Sequence, residues 1–316
     1  MNRTWWRLVR LLGGAAIVAF LVQRFGAGPF IDGLRLVDPV SLAAAAGIAL
    51  LTTVCCAWRW RLVARGLGVG LPMRAAVAAY YRSQFLNTTL PGGVLGDVDR
   101  AVQHGRDAGD IGRAARAVVW ERSAGQAVQL VLALIVLLLV PSFVQPVMPL
   151  VAAALAVAAV GVVLLVRGLP RGGHSRLART VRAARTDLRE GVMARRAWPG
   201  IALASTVAVA GHLATFRIAA RTAGVEASPV LLLPLAMLGL VAMGVPMNIA
   251  GWGPREGVAA WTFGVAGLGA ALGVTTAVVF GVLVLVASLP GAGVLVADWL
   301  RHEPVAAPRP EGAAHG

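Results

Sequence analysis

Long apolar runs separated by short arginine-rich segments follow one another along almost the whole chain. Apolar runs of about 20 residues predict helices that cross a bilayer. We predict about seven such helices, over residues 8–22, 40–57, 117–140, 147–166, 199–216, 258–272 and 274–299. The pattern therefore predicts an all-α, polytopic membrane protein.

The first run follows a basic start and has two interpretations. It could be a signal peptide that is removed, or a first helix that is retained. We expect the retained helix, because Arg24 follows the run directly and no small-x-small cleavage site is evident. Since arginine-rich flanks remain in the cytoplasm, the N-terminus should lie inside.

Two further apolar segments are short and end at polar breaks. Pro72 to Asn87 spans about 15 residues, or ~22 Å of helix, which is less than a hydrocarbon core of ~30 Å. A second short segment runs from Pro229 to Pro246. Within a bilayer, broken helices occur where protein or a wet cavity surrounds them, and such breaks form the binding sites of many transporters. We therefore predict two re-entrant broken helices; an amphipathic helix on the inner surface is the alternative for the first.

The breaks occupy equivalent places in two halves, 40–166 and 199–299, joined by a basic loop at 167–198. Each half reads as a span, a Pro-started short helix, a break, a carboxylate near an arginine, and then two spans. The topology above starts the halves on opposite sides, which predicts an inverted repeat. We expect one transmembrane domain over 1–300 and a disordered tail over 301–316.

The composition agrees with the apolar pattern, and the positions of the arginines decide how the net charge is interpreted. Hydrophobic residues make up 58% of the chain and charged residues 14%, which excludes a soluble globular protein. The net charge of +15 alone would suggest nucleic acid, but the arginines lie in short loops between apolar runs. The expected acidic partner is therefore an anionic lipid surface. Adjacent Cys55 and Cys56 predict neither a disulfide framework nor a zinc site.

The first break supplies an uncharged group of candidate binding residues: Asn87, Pro91, Gly92, Gly93 and Gly96. Glycine permits tight turns and proline ends a helix, so amide and carbonyl groups become free to bind a headgroup. The alternative is helix packing, since Gly92 and Gly96 also form a small-xxx-small pair.

Two charged pairs follow the first break. Asp97 and Arg100 share a helix face and can pair, at a cavity mouth or as a solvated surface pair. Glu121 and Arg122 begin an apolar span, and ionisable residues within a membrane favour a functional site. The alternative is that both extend to the inner interface.

The second break supplies the remaining candidates: Asn248, Gly251, Gly253, Arg255 and Glu256. We expect them to line a polar cavity with the first break, rather than to form a solvated outer loop. The chain shows no placed pair of nucleophile and base and no cofactor motif. We therefore expect a protein that is not an enzyme and needs no cofactor or metal.

Taken in order, these motifs resemble the transmembrane flippase-like domain of lysylphosphatidylglycerol synthases, the multiple peptide resistance factor family. The motifs are Phe85-Leu86-Asn87, Pro91-Gly92-Gly93, Gly96-Asp97, Arg100, Glu121-Arg122, Asn248, Gly251-Trp252-Gly253 and Glu256. The resemblance covers about residues 40–299 and implies a domain that binds phospholipid or moves it between leaflets. The family commonly has Glu where Asp97 stands, which leaves the role of this carboxylate open. Because no large soluble domain follows, we expect no synthesis of lysyl-lipid.

The resulting hypothesis is a flippase-like protein of the cell membrane that translocates a phospholipid or other lipid-linked headgroup without hydrolysing nucleotide. Three arginines would hold the anionic part: Arg100, Arg122 and Arg255. Three carboxylates would balance them and hold any cationic part: Asp97, Glu121 and Glu256. The alternative is a non-transporting accessory protein for polyprenyl-linked glycans or a glycosyltransferase.

Overall fold

The structure is a computed structural model that describes residues 19–20, 22–24, 26–90, 93–168, 176–244 and 253–301. From residue 26 onward, the described residues form twelve helices: α1 Gly28–Arg35, α2 Pro39–Gly66, α3 Met73–Thr89, α4 Leu95–Asp107, α5 Ile111–Leu139, α6 Met148–Gly168, α7 Arg176–Asp187, α8 Trp198–Thr222, α9 Pro229–Met243, α10 Pro254–Val265, α11 Ala270–Ser288 and α12 Pro290–Arg301. A 3₁₀ turn, Gln145–Val147, precedes α6, and a π turn, Leu188–Val192, follows α7. The described residues include no strand, so the all-α prediction is confirmed.

Four stretches of the described chain are long and apolar enough to cross a membrane. They are α2, α5, α8 and Ala270–Leu300, which joins α11 and α12. Shorter apolar helices cover Gln145–Gly161 and Pro229–Met243. The polytopic membrane class is thus confirmed. The predicted first span, 8–22, lies mostly outside the described residues.

The predicted span over 258–272 is wrong. Helix α10 ends at Val265, and its 12 residues cover only about 18 Å. Glycine causes the stop: Gly267 has φ +75° and the Leu268 N–H donates to the Phe263 carbonyl at 2.9 Å. This is the glycine-capped end that closes many helices, and a new helix, α11, begins after Gly269.

Two of the long helices extend beyond their predicted ends. Helix α2 continues to Gly66, which places Arg59 well inside the helix. Helix α5 begins at Ile111, where the Asp110 carboxylate accepts the Arg113 N–H at 2.8 Å and caps it. Glu121 therefore lies almost three turns into α5, not in its first turns.

Both predicted interruptions are present as breaks between packed helices. Helix α3 ends at Thr89 and packs against α4, and α9 ends at Met243 and packs against α10. Each of these two helical hairpins, α3–α4 and α9–α10, follows a long helix that ends at a left-handed glycine. The glycines are Gly68 at φ +76° and Gly224 at φ +80°. The two halves therefore share one order of elements. Pro91 and Pro246 lie outside the described residues.

The halves pack on each other through α2, α8 and α11. Phe216 of α8 is buried between Phe263 of α10 and Phe280 of α11, with ring centroids 6.4 Å and 6.0 Å away. Helix α12 returns to the first half and packs on α3, where Arg82 binds Asp298 at 2.5 Å. The first hairpin is thus enclosed by helices of both halves.

Substitution of Gly291 tests the contact between α12 and α3. A Cβ at Gly291 would overlap the backbone carbonyl of Tyr81, which cannot rotate away. Gly291→Ala should lower the free energy of unfolding by about 1–3 kcal/mol, as overpacking does. Gly293→Ala is the matched control, because a Cβ there meets nothing within 4 Å. Denaturant unfolding in mixed micelles should separate the two variants; equal stability would contradict the close packing.

Candidate functional site

A buried carboxylate, Glu121 of α5, joins three other helices. It accepts hydrogen bonds from Arg59 Nε at 2.9 Å and Nη2 at 2.5 Å on α2. It also accepts from Arg100 Nη2 at 2.6 Å on α4 and from the Tyr80 hydroxyl at 3.2 Å on α3. Glu121 is fully buried, and so is Arg100. Because unpaired buried charges are costly, these contacts fix the four helices relative to one another.

The Arg100 guanidinium lies close to two aromatic rings. Its Cζ is 4.8 Å from the Trp60 ring centroid and 4.6 Å from that of Tyr80. Its Nε donates to Asp97 Oδ1 at 3.0 Å. Contacts with two aromatic rings and hydrogen bonds to Asp97 and Glu121 hold this cation in place.

The second carboxylate, Asp97, lies at the start of α4, directly after the first interruption. It accepts from Arg122 Nε at 2.8 Å, Ser83 Oγ at 3.2 Å and Asn87 Nδ2 at 3.3 Å. Asn87 Oδ1 accepts the Gly96 N–H at 2.8 Å, so the Asn87 side chain bridges the break. A Cβ at Gly96 would overlap the Ser83 backbone, so glycine is needed there for close packing of α4 on α3.

These residues form what we term the ion cluster, composed of Arg59, Asp97, Arg100, Glu121 and Arg122. Three guanidinium groups face two carboxylates, which leaves one surplus positive charge. Arg59 and Arg100 are buried, whereas the Arg122 side chain is 42% exposed. The surplus charge is therefore most accessible at Arg122.

The second interruption ends in a separate buried pair. Arg255 Nε donates to Glu256 Oε1 at 2.8 Å, and the Gly253 N–H donates to Glu256 Oε2 at 2.6 Å. Glu256 thus neutralises the arginine and caps α10 with the same carboxylate. The Arg255 Cζ lies 5.3 Å from the Phe280 ring centroid, and Gly281 leaves space for the guanidinium.

A cavity of about 300 Å³ lies between the two halves. Residues beside the first interruption line it, including Asn87, Gly93 and Asp97. Residues beside the second, including Gly244 and Arg255, line it as well. Described residues beside both interruptions therefore line one cavity, whose wall also includes these residues: Arg59, Gln84, Arg122, Gln126, Gln129, Ser205 and His212.

The model of the family described as Lysylphosphatidylglycerol synthase TM region matches residues 7–291. The chain belongs to this family. The matched region contains both interruptions, the ion cluster and the cavity. No curated protein and no solved structure matches the chain.

The burial of the charged side chains decides between several alternatives that the sequence left open. Asp97 and Arg100 are not a solvated pair, because Arg100 is fully buried. Glu121 does not extend to the interface, and Arg255 with Glu256 is not a solvated loop, since these side chains are buried too. Four candidates lie outside the described residues: Pro91, Gly92, Asn248 and Gly251.

Arg59 is not among the site residues predicted from the sequence, because the predicted span ends at residue 57. A signal was present, because Thr52, Cys56 and Arg59 follow the i, i+4, i+7 spacing of one helix face. All three line the cavity. Ser205, which accepts from Arg59 Nη1 at 3.0 Å, was not anticipated either.

Substitution of Gly125 tests the close packing of this residue against the Arg59 guanidinium. A Cβ at Gly125 would lie 2.7–2.9 Å from three atoms of the Arg59 guanidinium. Gly125→Ala should push Arg59 off Glu121 and lower the free energy of unfolding by about 1–3 kcal/mol. Gly47→Ala on α2 is the control, because a Cβ there meets nothing within 4 Å. Thermal unfolding in detergent measures the loss of stability. A Gly125 variant as stable as the control would contradict the close packing of Gly125 against the Arg59 guanidinium.

Proposed function

We propose that the protein is a flippase-like membrane protein that binds a lipid headgroup in the cavity and moves it between leaflets. The supporting observation is the cavity itself, which is lined by described residues beside both helix interruptions and where Arg122 presents a surplus positive charge. Broken helices around a polar site are a recurrent design of transporters. The lipid tails would stay in the bilayer while the headgroup crosses.

Binding would begin by exchange of partners at Arg122. The Arg122 guanidinium binds Asp97, which also accepts hydrogen bonds from Ser83 and Asn87. A phosphate can accept from the same guanidinium in a two-pronged geometry. Asp97 would then keep its bonds to Arg100 and Ser83, so release of Arg122 does not leave a buried carboxylate unpaired.

The other arginines would serve as fixed supports. Arg100 is enclosed by Trp60 and Tyr80, and Arg255 is held by Glu256. This revises the hypothesis from the sequence, in which Arg100 and Arg255 contact the headgroup directly. Arg59 and Arg255 both line the cavity, but each is buried and bound to a carboxylate, Glu121 and Glu256 respectively, so we propose that they act as supports as well.

We also propose a position in the cell membrane with the N-terminus in the cytoplasm, and no catalytic activity. The orientation is supported by arginines around α7, at positions including Arg179, Arg182, Arg185 and Arg189. The expected partners are phospholipids or other lipid-linked headgroups, without nucleic acid.

A headgroup-accessibility assay in liposomes tests this function. Purified protein should equalise fluorescent lipid between leaflets, so that a membrane-impermeant quencher reaches nearly all of it. Arg122→Gln should slow this movement by about tenfold or more, because a charge-assisted bond is lost. Arg113→Gln is the control, since this side chain is 47% exposed and pairs with exposed Asp110. Unchanged leaflet distribution with wild-type protein, across several lipids, would favour the accessory role instead.

A further inference from the structure

We infer that helix α5 couples the two interruptions, and that Gln129 is the positioning residue through which α5 holds the second one. The inference deepens the proposed function and rests on it, since it states how an exchange of partners at Arg122 would reach the other half of the molecule. Two kinds of observation support it: the spacing of polar residues along α5 and the contacts that these residues make at each end.

One face of α5 carries polar residues within an otherwise apolar stretch. Arg122, Gln126 and Gln129 follow the i, i+4, i+7 spacing of a single helix face, and all three line the cavity. We term them the polar stripe. The distance along the helix axis from its first to its last residue is about 10 Å, at ~1.5 Å per residue. The stripe ends at Gln129, because residues 130–139 are apolar throughout.

The start of the polar stripe is bound to the first interruption. Arg122 Nε donates to Asp97 Oδ2 at 2.8 Å, and Asp97 lies in the first turn of α4, directly after the break. The preceding residue of α5, Glu121, accepts from Arg100 of the same helix at 2.6 Å. Two consecutive side chains of α5 therefore fix its position relative to the first interruption.

The end of the polar stripe is bound to the second interruption. Gln129 Nε2 donates to the Leu240 carbonyl near the end of α9 at 2.9 Å. In a continuing α-helix this carbonyl would accept the N–H of residue 244. The Gly244 N–H instead donates to the Val241 carbonyl at 3.0 Å, which tightens the last turn. A side chain of the first half thus replaces a donor that the end of α9 has lost.

Gln126 lies against the same helix end. The position of a Cβ on Gly244 would be 3.0 Å from Gln126 Nε2 and 3.3 Å from its Oε1. The glycine therefore leaves room for the amide, and the backbone at the end of α9 lies directly beside α5. A displacement of α5 would have to move this segment with it or break the contact.

Apolar packing continues the contact between α5 and α9 one turn beyond Gln129. Ala133 of α5 and Met237 of α9 are buried in one cluster, and Val136 and Val241 pack against it. Apolar side chains exclude water on this side of the Gln129 bond. A hydrogen bond in such surroundings is stronger than one in water, so it can hold the end of α9 in one place.

The proposed exchange at Arg122 changes one end of this connection. When Arg122 leaves Asp97 for a phosphate, only the bond from Arg100 to Glu121 remains of the two bonds between α4 and α5 described above. The polar stripe is then free to shift relative to the first interruption. Gln129 would transmit the shift to the end of α9, so binding at one interruption would loosen the other.

The reactivity of a thiol at the end of α9 tests the coupling without any lipid. With Cys55 and Cys56 changed to alanine, Met243→Cys places a thiol in the cavity wall, and N-ethylmaleimide, an uncharged reagent, measures its reaction rate in detergent. Gln129→Met removes the donor and keeps the side-chain length, so the thiol should react about fivefold faster or more. Glu226→Cys, exposed before α9 begins, is the reporter control, and its rate should not change.

Gln145→Met is the matched control for the substitution of Gln129. Gln145 Nε2 also donates to a carbonyl at the end of a helix, that of Leu138 at 3.0 Å, but it lies beyond the end of α5 and outside the cavity wall. Its loss should leave the thiol of Met243→Cys at its original rate. Equal acceleration by both substitutions would assign the effect to a general loosening of the fold and overturn the inference.

Arg122→Gln decides whether the two ends of the polar stripe are connected. It should accelerate the reaction of the Met243→Cys thiol about threefold or more. Loss of a nearby positive charge alone would slow the reaction, because it disfavours the thiolate. In the Gln129→Met background, Arg122→Gln should add nothing further, since the connection is already broken.

Two results would overturn the coupling: an unchanged rate in Arg122→Gln, or its full acceleration on top of that of Gln129→Met. Should Gln129→Met fail to fold, the rate in Arg122→Gln alone decides. Wild-type protein that leaves liposome leaflets unchanged would refute the proposed function alone, since the thiol rates do not depend on lipid movement. Where wild-type protein moves lipid, Gln129→Met should slow the movement by about fivefold and Gln145→Met should not; equal rates would overturn the role of Gln129.

Discussion

Replacing Glu121 with Gln should lower the free energy of unfolding by about 3–5 kcal/mol. The carboxylate is the shared partner of Arg59 and Arg100, both buried. A neutral amide leaves the buried Arg59 without a carboxylate partner and leaves Arg100 with Asp97 alone. Chemical unfolding in mixed micelles, followed by tryptophan fluorescence, measures the loss.

Arg113→Gln provides the matched control for this prediction. It also breaks an arginine–carboxylate pair, but both partners are exposed, and such pairs contribute about 0–1 kcal/mol. If Glu121→Gln were as stable as this control, Glu121 would have to be solvated, contrary to its burial.

Arg255→Met and Glu256→Gln should each cost about 3–5 kcal/mol, and the double variant should cost clearly less than their sum. Each single change leaves one buried charge without its main partner, whereas the double change removes both charges together. Methionine can keep the packing against Phe280, and glutamine can keep an oxygen for the Gly253 N–H. A double-mutant cycle in mixed micelles yields the coupling free energy.

The expected coupling is between about 0.5 and 3 kcal/mol, as for residues in direct contact. Strictly additive losses would mean that Arg255 and Glu256 act independently, and would contradict the buried pair. The same variants in the liposome assay report whether this pair also affects headgroup movement.

Local chemistry made both interruptions predictable from the sequence. Pro72 and Ser228-Pro229 mark helix starts, and the apolar segments after them are too short to cross a bilayer. The motifs around Asp97 and Glu121 also predicted the family, because they follow each other in order over most of the chain.

Partners distant in sequence could not be read from the chain. Arg59 and Glu121 are 62 positions apart, and Arg82 and Asp298 are 216 apart. Helical spacing places residues on a face but does not say which helices pack against that face. The fact that Glu121, rather than Asp97, is the centre of the cluster therefore emerges only from the fold.

The predicted helix ends are wrong at two places, where the apolar or charged character of the segment did not indicate the true end or start. The run at 258–272 is apolar throughout, yet Gly267 and Gly269 adopt positive φ values and divide it. Conversely, Ile111 begins a helix within a charged segment, because arginine and alanine favour helix and Asp110 supplies a cap.

Cysteine cross-linking across the shared cavity is the most direct test of its geometry. With Cys55 and Cys56 changed to alanine, Thr88→Cys with Ser288→Cys should form a disulfide, since the two hydroxyl oxygens are 3.3 Å apart. Gln126→Cys with Gly244→Cys should be joined by a short bifunctional thiol reagent, because Gln126 Nε2 lies 3.0 Å from the position of a Cβ on Gly244. Ser41→Cys with Thr222→Cys is the positive control, with oxygens 2.9 Å apart. We predict cross-links in all three pairs. Cross-linking of the control alone would contradict a cavity shared by the two interruptions.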